Sequence, residues 1–248
     1  MKAMVLAAGL GTRLRPLTDD RPKALVEVAG RTLLEITLTR LRSFGVREVI
    51  VNMHHFADMI VEYLKKNDNF GMRIEISREE TLLDTGGGLK KAAPFFLENA
   101  SDQKTPFFVH NVDVISNIDL DRMLRFHTEN QALATLSVQD RESSRYLLFD
   151  QHLRLCGRRS GRDREDNLVR FCEQTQPLAF CGIHVISPAL LSLLKEEGAF
   201  SITDSYLGFA AQGERVMAFR ADEYSWRDVG SLPRLRQAEQ DLAQRPLW

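Results

Sequence analysis

The chain has 248 residues, 44% of them hydrophobic and 27% charged, a composition that excludes disorder and collagen-like structure and supplies one large core or two small ones. Its 33 Lys and Arg against 34 Asp and Glu leave a formal net charge of -1. Neither a nucleic-acid backbone nor an anionic membrane is therefore expected as the main partner, although a local cationic cluster for a small anion needs no net excess. Three cysteines, Cys156, Cys172 and Cys181, fit neither a disulfide framework nor the CxxC spacing of a zinc site, so a reducing, cytoplasmic setting is expected. No stretch approaches the roughly 18 apolar residues of a membrane span. The opening MKAMVLAAGLGTRLRP is broken by Arg13 and Arg15 before a secretory core is complete, and Met1 is expected to begin the mature chain.

In chain order, Ala3 to Ala8 is a continuous apolar run ending at Gly9 and Gly11, the pattern of a strand buried on both faces that delivers a glycine-rich loop. Thr32 to Phe44 carries apolar residues at helical spacing and stops at Gly45. Val46 to Met53 reads as strand, Phe56 to Leu64 as helix, Met72 to Ile76 as strand, Leu89 to Leu97 as helix and Phe107 to Val112 as strand. This alternation predicts an α/β fold with right-handed crossovers and helices on both faces of a mostly parallel sheet. Asp119 and Asp121 are placed to open the following helix. Beyond about residue 140 the pattern changes. Tyr146 to Phe149 and Leu153 to Cys156 are short strands around a turn at Asp150 and Gln151, and RRSGRDRED from Arg158 to Asp166 reads as a solvated hairpin tip or mobile loop. Ala179 to Ile186 is strand, Pro188 opens a helix, and Leu232 to Leu242 is an amphipathic closing helix. No repeat or linker divides the chain, so residues 1–248 are expected to form one domain.

The segment from Leu6 to Leu17 sets two glycines and two arginines directly after the first strand, at the edge of an open α/β sheet where ligands bind. Without side chains, Gly9 and Gly11 let backbone N–H groups approach phosphate oxygens. Two commoner phosphate loops are absent: Leu14 stands where the dinucleotide fingerprint needs its third glycine, and GxxxxGK[ST] does not occur. A tight turn would explain the glycines but not Arg13, Arg15 and Lys23 in the same loop.

LAAGLGTRLRPLT followed by RPKALVEVAGRTLLE closely resembles the signature of the sugar-phosphate nucleotidylyltransferases, and LLDTGGG at 82–88, NVD at 111–113, GIHVISP at 182–188 and WRDVGS at 226–231 extend the match in the family's order over almost the full chain. The resemblance implies a Rossmann-like sheet of the nucleotide-diphospho-sugar transferase type with a small β-rich insertion on the acceptor side, a nucleotide-binding half up to about residue 140 and a sugar-phosphate-binding half after it. It implies transfer of a nucleotidyl group from a nucleoside triphosphate to a sugar 1-phosphate, giving a nucleoside-diphosphate sugar and pyrophosphate with Mg²⁺ as cofactor. Such a reaction joins two polyanions, so the site must supply positive charge and geometry. By resemblance, Leu6, Ala7 and Ala8 belong to the nucleotide-binding site, Gly9, Gly11 and Thr12 hold the triphosphate through backbone groups, Arg13 neutralises the departing pyrophosphate through its planar fork, and Lys23 contacts the reacting phosphates. Asp113 and Asp228, about 115 residues apart, are the two carboxylates for Mg²⁺. Gly86 and Gly87 correspond to the loop that reads the base, with Glu79 or Glu80 facing it, and Gly182 and Trp226 to the acceptor pocket.

The sequence also departs from the family. Val112 stands where many relatives have glycine, Leu147 likewise, and Gln174 replaces a lysine after Glu173, so the acceptor phosphate needs another cation, Arg170 or Arg227. No room follows Trp226 for the left-handed β-helix of acetyl-transferring relatives, and a second acyltransferase activity is not expected. The short form and LLDTGGG most resemble uridylyltransferases acting on N-acetylmuramic acid 1-phosphate, with mannose- and heptose-phosphate guanylyltransferases sharing much of the pattern. A phosphocholine cytidylyltransferase and a catalytically silent nucleotide sensor of the same fold are the alternatives. His54 and His55 are expected in ordinary loop packing, and His110 and His184 within strands rather than as catalysts. An oligomer of identical chains is left open.

Overall fold

The computed structural model describes residues 1–99, 104–160 and 165–244. The strands are β1 (Lys2–Leu6), β2 (Glu27–Val28), β3 (Arg31–Thr32), β4 (Glu48–Met53), β5 (Arg73–Arg78), β6 (Phe107–Asn111), β7 (Val114–Ser116), β8 (Ala134–Gln139), β9 (Arg145–Phe149), β10 (Leu155–Ser160), β11 (Asp166–Leu168), β12 (Gln176–Ile186), β13 (Val216–Arg220) and β14 (Trp226–Asp228). The α-helices are α1 (Leu33–Ser43), α2 (Ala57–Lys66), α3 (Asp84–Lys91), α4 (Ala93–Phe96), α5 (Leu120–Glu129), α6 (Ala189–Leu193), α7 (Ile202–Ala211) and α8 (Leu232–Gln244). Their ends follow local chemistry. Thr32 Oγ1 accepts the Glu35 N–H at 3.1 Å, Gly45 at φ 79° follows the last turn of α1, and Asp119 accepts the Arg122 N–H at 2.9 Å to cap α5.

The body of the sheet runs β5-β4-β1-β6-β12-β8-β13, and among the described residues only β12 runs against the others in it. Successive strand residues point to opposite faces, so the apolar runs feed two cores. Ala3, Val5 and Val51 pack with α1, α2, α5 and α8 on one face; Met4, Ile50 and Val109 pack with α3, α4, α6 and α7 on the other. The mostly parallel α/β/α architecture follows the sequence pattern. β12 is long enough to leave this body: its start pairs with β9, and β9, β10 and β11 form an antiparallel extension. Residues 161–164, within the charged stretch read as a hairpin tip, lie outside the described residues; Arg159 and Asp166 at its base are ion-paired at 2.5 Å.

One predicted helix is different. The expected Leu89–Leu97 segment begins earlier, at Asp84, and is divided into α3 and α4 ahead of Pro94, which has no N–H to continue the ladder. The three glycines lie inside α3, against their low propensity, because the helix packs too closely for side chains. A methyl on Gly86 would stand 2.3 Å from the Phe200 ring, and one on Gly87 2.3 Å from the Gly198 carbonyl.

Three histidines are sealed in this fold. Burial pushes His110 and His127 down to about 4 and His184 to about 3. His184 is held by the Tyr206 hydroxyl at 2.7 Å, His127 by Thr135 and Ser187. A histidine held neutral in the folded state and free to protonate near 6.5 when unfolded stabilises above that pH, and this contribution is lost as pH falls from about 6.5 toward 4. Chemical-denaturation midpoints should therefore drop across that window, and His127→Asn should reduce the slope by up to about 1.4 kcal/mol per pH unit; an unchanged slope would contradict a neutral His127.

Candidate active site

A cleft of about 210 Å³ opens at the C-terminal ends of β1, β4 and β6. This is where strand order reverses, since β1 leads to β4 on one side and lies beside β6 on the other, leaving a crevice between diverging connections. Leu6, Ala8, Gly9, Lys23, Val112 and Asp113 line it among the residues singled out from sequence.

The loop after β1 is held by its own chemistry. Gly11 sits at φ 65° with its carbonyl accepting the Leu14 N–H at 2.8 Å and the Thr18 hydroxyl at 2.9 Å, and a side chain there would meet Thr18 at 2.9 Å. Leu14 is fully buried. It anchors a short 3₁₀ turn, Thr12–Leu14, which explains why a leucine stands where a dinucleotide loop would have glycine. Gly9 has open space around it and Arg13 is exposed and unpaired among the described residues.

Asp113 and Asp228 come together through a second, two-stranded sheet. β7 pairs with β14 so that Asp228 lies opposite Val114, and the Val229 N–H donates to the Asp113 carbonyl at 2.9 Å. The Lys23 ammonium pairs with Asp113, both largely buried, while Asp228 pairs with Arg234 from α8 and accepts the Gly230 N–H at 2.7 Å. A methyl built on Gly230 would stand 2.8 Å from Asp228 Oδ1, 3.1 Å from Arg13 Nη2 and 3.2 Å from Asp113 Oδ2. All four charged residues proposed for chemistry thus meet at one edge of the cleft.

On the opposite side, Leu82, Asp84 and Thr85 line the cleft rather than Gly86 and Gly87, whose N–H groups reach the Phe200 carbonyl at 2.9 and 3.4 Å. Glu80 is exposed. Glu79 is buried, with Oε1 accepting from Asn52 at 2.7 Å and Oε2 accepting the Leu83 N–H at 3.0 Å. The N–H of Ala7, one of the residues expected to bind the nucleotide, donates to Asn52 Oδ1 at 2.8 Å.

Toward β12, Gly182 at φ 74° marks the bulge where the strand bends, and a side chain there would meet the Asn111 amide at 2.8 Å. Trp226 Nε1 donates to the Cys181 carbonyl at 2.7 Å, and the Arg141 guanidinium lies 3.9 Å above its ring. Gln174 is elsewhere, in a separate hollow beside the β9–β10 turn. Arg170 is tied to Asp150 at 2.5 Å and to the carbonyls of Leu155 and Arg154, and Arg227 to Asp241 at 2.5 Å. Both cations expected to replace the lysine are therefore already engaged.

A family model described as nucleotidyl transferase matches residues 2–245. The chain belongs to the nucleotidyl transferase family. It is 37% identical to an N-acetylmuramate alpha-1-phosphate uridylyltransferase from Caulobacter vibrioides, across 98% of this chain and 97% of that protein. It is 30% identical to a mannose-1-phosphate guanyltransferase from Yarrowia lipolytica over 93% of this chain, which spans 61% of that relative's length. Among solved structures, a UDP-glucose pyrophosphorylase from Acinetobacter baumanii superposes with a TM-score of 0.80 at 19% identity, covering 99% of this chain and 94% of that one. HddC from Yersinia pseudotuberculosis with GMP-PN gives 0.75 at 21%, covering 97% and 99%.

Asn52, Asn111, Gly230 and Arg234 escaped the sequence reading. Asn52 and Asn111 are polar residues at the C-terminal ends of β4 and β6, after their apolar cores, a signal that marks where a sheet meets its ligand edge; Arg234 has no local signal, since only the tertiary fold brings α8 to Asp228. In this nucleotidyl transferase, Gly230→Ala should lower kcat roughly 10- to 100-fold by displacing the convergent charges with the thermal midpoint little changed; wild-type kcat would show that the convergence point is not the reacting centre.

Proposed function

We propose that this chain, acting as one catalytic unit, transfers the uridylyl group of UTP to N-acetylmuramate α-1-phosphate and releases pyrophosphate. The observation that carries the reading is the meeting of Arg13, Lys23, Asp113 and Asp228 at the edge of the switch-point cleft. UTP and this acceptor are chosen over the guanylyl pairing because similarity to the uridylyltransferase runs end to end, whereas the mannose-phosphate relative extends well beyond the matched region. A silent sensor would have no need to keep all four charged groups together.

In this reaction an acceptor phosphate oxygen attacks the α-phosphorus in line, the bond to the bridging oxygen breaks, and pyrophosphate carries away that oxygen and the electron pair. The acceptor phosphate is already ionised near neutral pH, so no general base is required. Among the described residues no cluster of three or more His, Cys, Asp or Glu forms a metal cage. Two carboxylates with room for phosphate oxygens and water are the donor set that Mg²⁺ uses, and Asp113 and Asp228 would hold it. Bound there, it supplies charge neutralisation on the reacting phosphates. Lys23 exchanges its contact with Asp113 for a phosphate oxygen, and Arg13 meets charge growing on pyrophosphate. Arg141, on the Trp226 ring and without a carboxylate partner among the described residues, is the acceptor-side cation in this reading. No described helix is long and apolar enough to cross a membrane.

Pyrophosphate release across UTP, GTP, CTP and dTTP, each with N-acetylmuramate, mannose and glucose 1-phosphates, tests the pairing. UTP with N-acetylmuramate α-1-phosphate should give the highest kcat/KM and dTTP with glucose 1-phosphate a poor one; a preference for GTP with mannose 1-phosphate would overturn it. Asp113→Asn and Asp228→Asn should each cut turnover by orders of magnitude with the fold intact. Arg13→Lys, which keeps charge but loses the fork, should lower kcat about tenfold or more. A change confined to the KM for UTP would make Arg13 an anchor only.

A further inference from the structure

The cleft has two walls that come from distant parts of the sequence, the loop leaving β1 and the segment ahead of α3, and one buried pair of side chains joins them. Asn52, at the end of β4, accepts the Ala7 N–H on Oδ1 at 2.8 Å and donates from Nδ2 to Glu79 Oε1 at 2.7 Å; Glu79 Oε2 accepts the Leu83 N–H at 3.0 Å. The two residues are 2% and 4% exposed, so water poorly replaces a lost partner. The backbone of Glu79 is itself fixed, its N–H donating to the Met53 carbonyl and its carbonyl lying against His54 Nδ1, each at 2.8 Å. Gly88 closes the space behind: a methyl there would stand 2.8 Å from both Asn52 Nδ2 and Glu79 Oε1.

We infer that Asn52 and Glu79 form a directional hydrogen-bond relay that sets the spacing of the triphosphate wall and the base wall, making both of them positioning residues for the nucleotide. The inference rests on the nucleotidyl-transfer reading, but it concerns nucleotide binding and is testable without turnover. Direction is dictated by chemistry. A carboxylate has only acceptors, so it fixes the amide of Asn52 with nitrogen toward Glu79 and oxygen toward Ala7, and it takes the Leu83 N–H on its other oxygen. Three donors meet three acceptors on buried groups, and each bond depends on the orientation of the next. Glu79 is consequently a link between the walls, rather than a group turned out toward the base.

The relay can be reversed in sign without changing its shape. Asn52→Asp sets two carboxylates against each other, and Glu79→Gln sets an amide nitrogen against either the Asn52 amide or the Leu83 N–H. The double variant Asn52→Asp/Glu79→Gln restores every bond: the carboxylate introduced at position 52 accepts from Ala7 and from the amide introduced at position 79, whose oxygen accepts from Leu83. The test is calorimetric titration of each purified full-length protein with whichever of Mg-UTP, Mg-GTP, Mg-CTP or Mg-dTTP the wild type binds most tightly, alongside thermal midpoints and the KM for each substrate. Each single variant should weaken nucleotide binding about tenfold or more, as for one unsatisfied buried hydrogen bond, leave the acceptor KM unchanged, and be rescued to within about threefold of wild type in the double variant. Were a single variant not to fold, Asn52→Ser, which removes the bridge without adding charge, carries the same expectation of weakened binding and an unchanged acceptor KM. Single variants with wild-type affinity would overturn the relay. A double variant as weak as Glu79→Gln alone would also overturn it, because that is the behaviour of a carboxylate that reads the base directly. Lower thermal midpoints with unchanged nucleotide affinity would reduce the pair to a fold-stabilising role and overturn the positioning claim. Wild-type protein that binds a nucleotide but turns over no sugar phosphate would count against the function and leave the relay readable.

Discussion

Two carboxylates that approach the same point repel one another unless cations stand with them, and this requirement organises the reacting edge of the cleft. Asp113 and Asp228 each have a partner in the fold itself, Lys23 and Arg234, and Arg13 adds a third positive group beside them. In the proposed reaction Arg13 and Lys23 would take phosphate oxygens as their partners, so nucleotide binding would add negative charge and free Asp113 for a metal. The carboxylates and the triphosphate would then share the neutralising charge, linking metal affinity to nucleotide affinity.

The fold meets that requirement with few parts. β1 and β6 deliver the glycine-rich loop and Asp113 from the central, doubly covered strands of the sheet. The three-residue pairing of β7 with β14 carries Asp228 to the same place, and the Val229 N–H locks it to the Asp113 carbonyl. Gly230 is essential in the local sense that a side chain would occupy the volume the charges share. On the other side of the cleft the same logic appears with neutral donors. Asn52 and Glu79 use three buried hydrogen bonds to hold the two walls together.

Much of this was legible in the sequence where a physical signal is local. Ala3 to Ala8 is an unbroken apolar run, Val49 to Val51 and Phe107 to Val109 are the apolar cores of the segments read as strands, and all three form buried parallel strands; Thr32 and Gly45 punctuate α1. Other elements carry no such signal. β8 is buried throughout yet contains Thr135, Ser137 and Gln139, whose polar groups are satisfied by His127, the Ile183 carbonyl and the carbonyls of Ala221 and Tyr224; its polarity hides it from a hydrophobic pattern. The three glycines of LLDTGGG look like a loop by propensity and are helix by packing against Gly198 and Phe200. Asp113 and Asp228 could be paired only through family resemblance, because nothing within either segment encodes the β7–β14 contact. Arg170 and Arg227 looked available as bare sequence, and distant carboxylates had already claimed them.

In the proposed reaction Asp113 is held at the cleft edge by Lys23 until a triphosphate takes that cation over. Mn²⁺ binding followed by electron paramagnetic resonance, with and without a non-hydrolysable UTP analogue, measures this directly. Mn²⁺ should bind weakly to the protein alone and markedly more tightly with the analogue, and Asp113→Asn should lose the tightened site. Tight Mn²⁺ binding that is indifferent to the nucleotide and survives removal of Asp113 would contradict it.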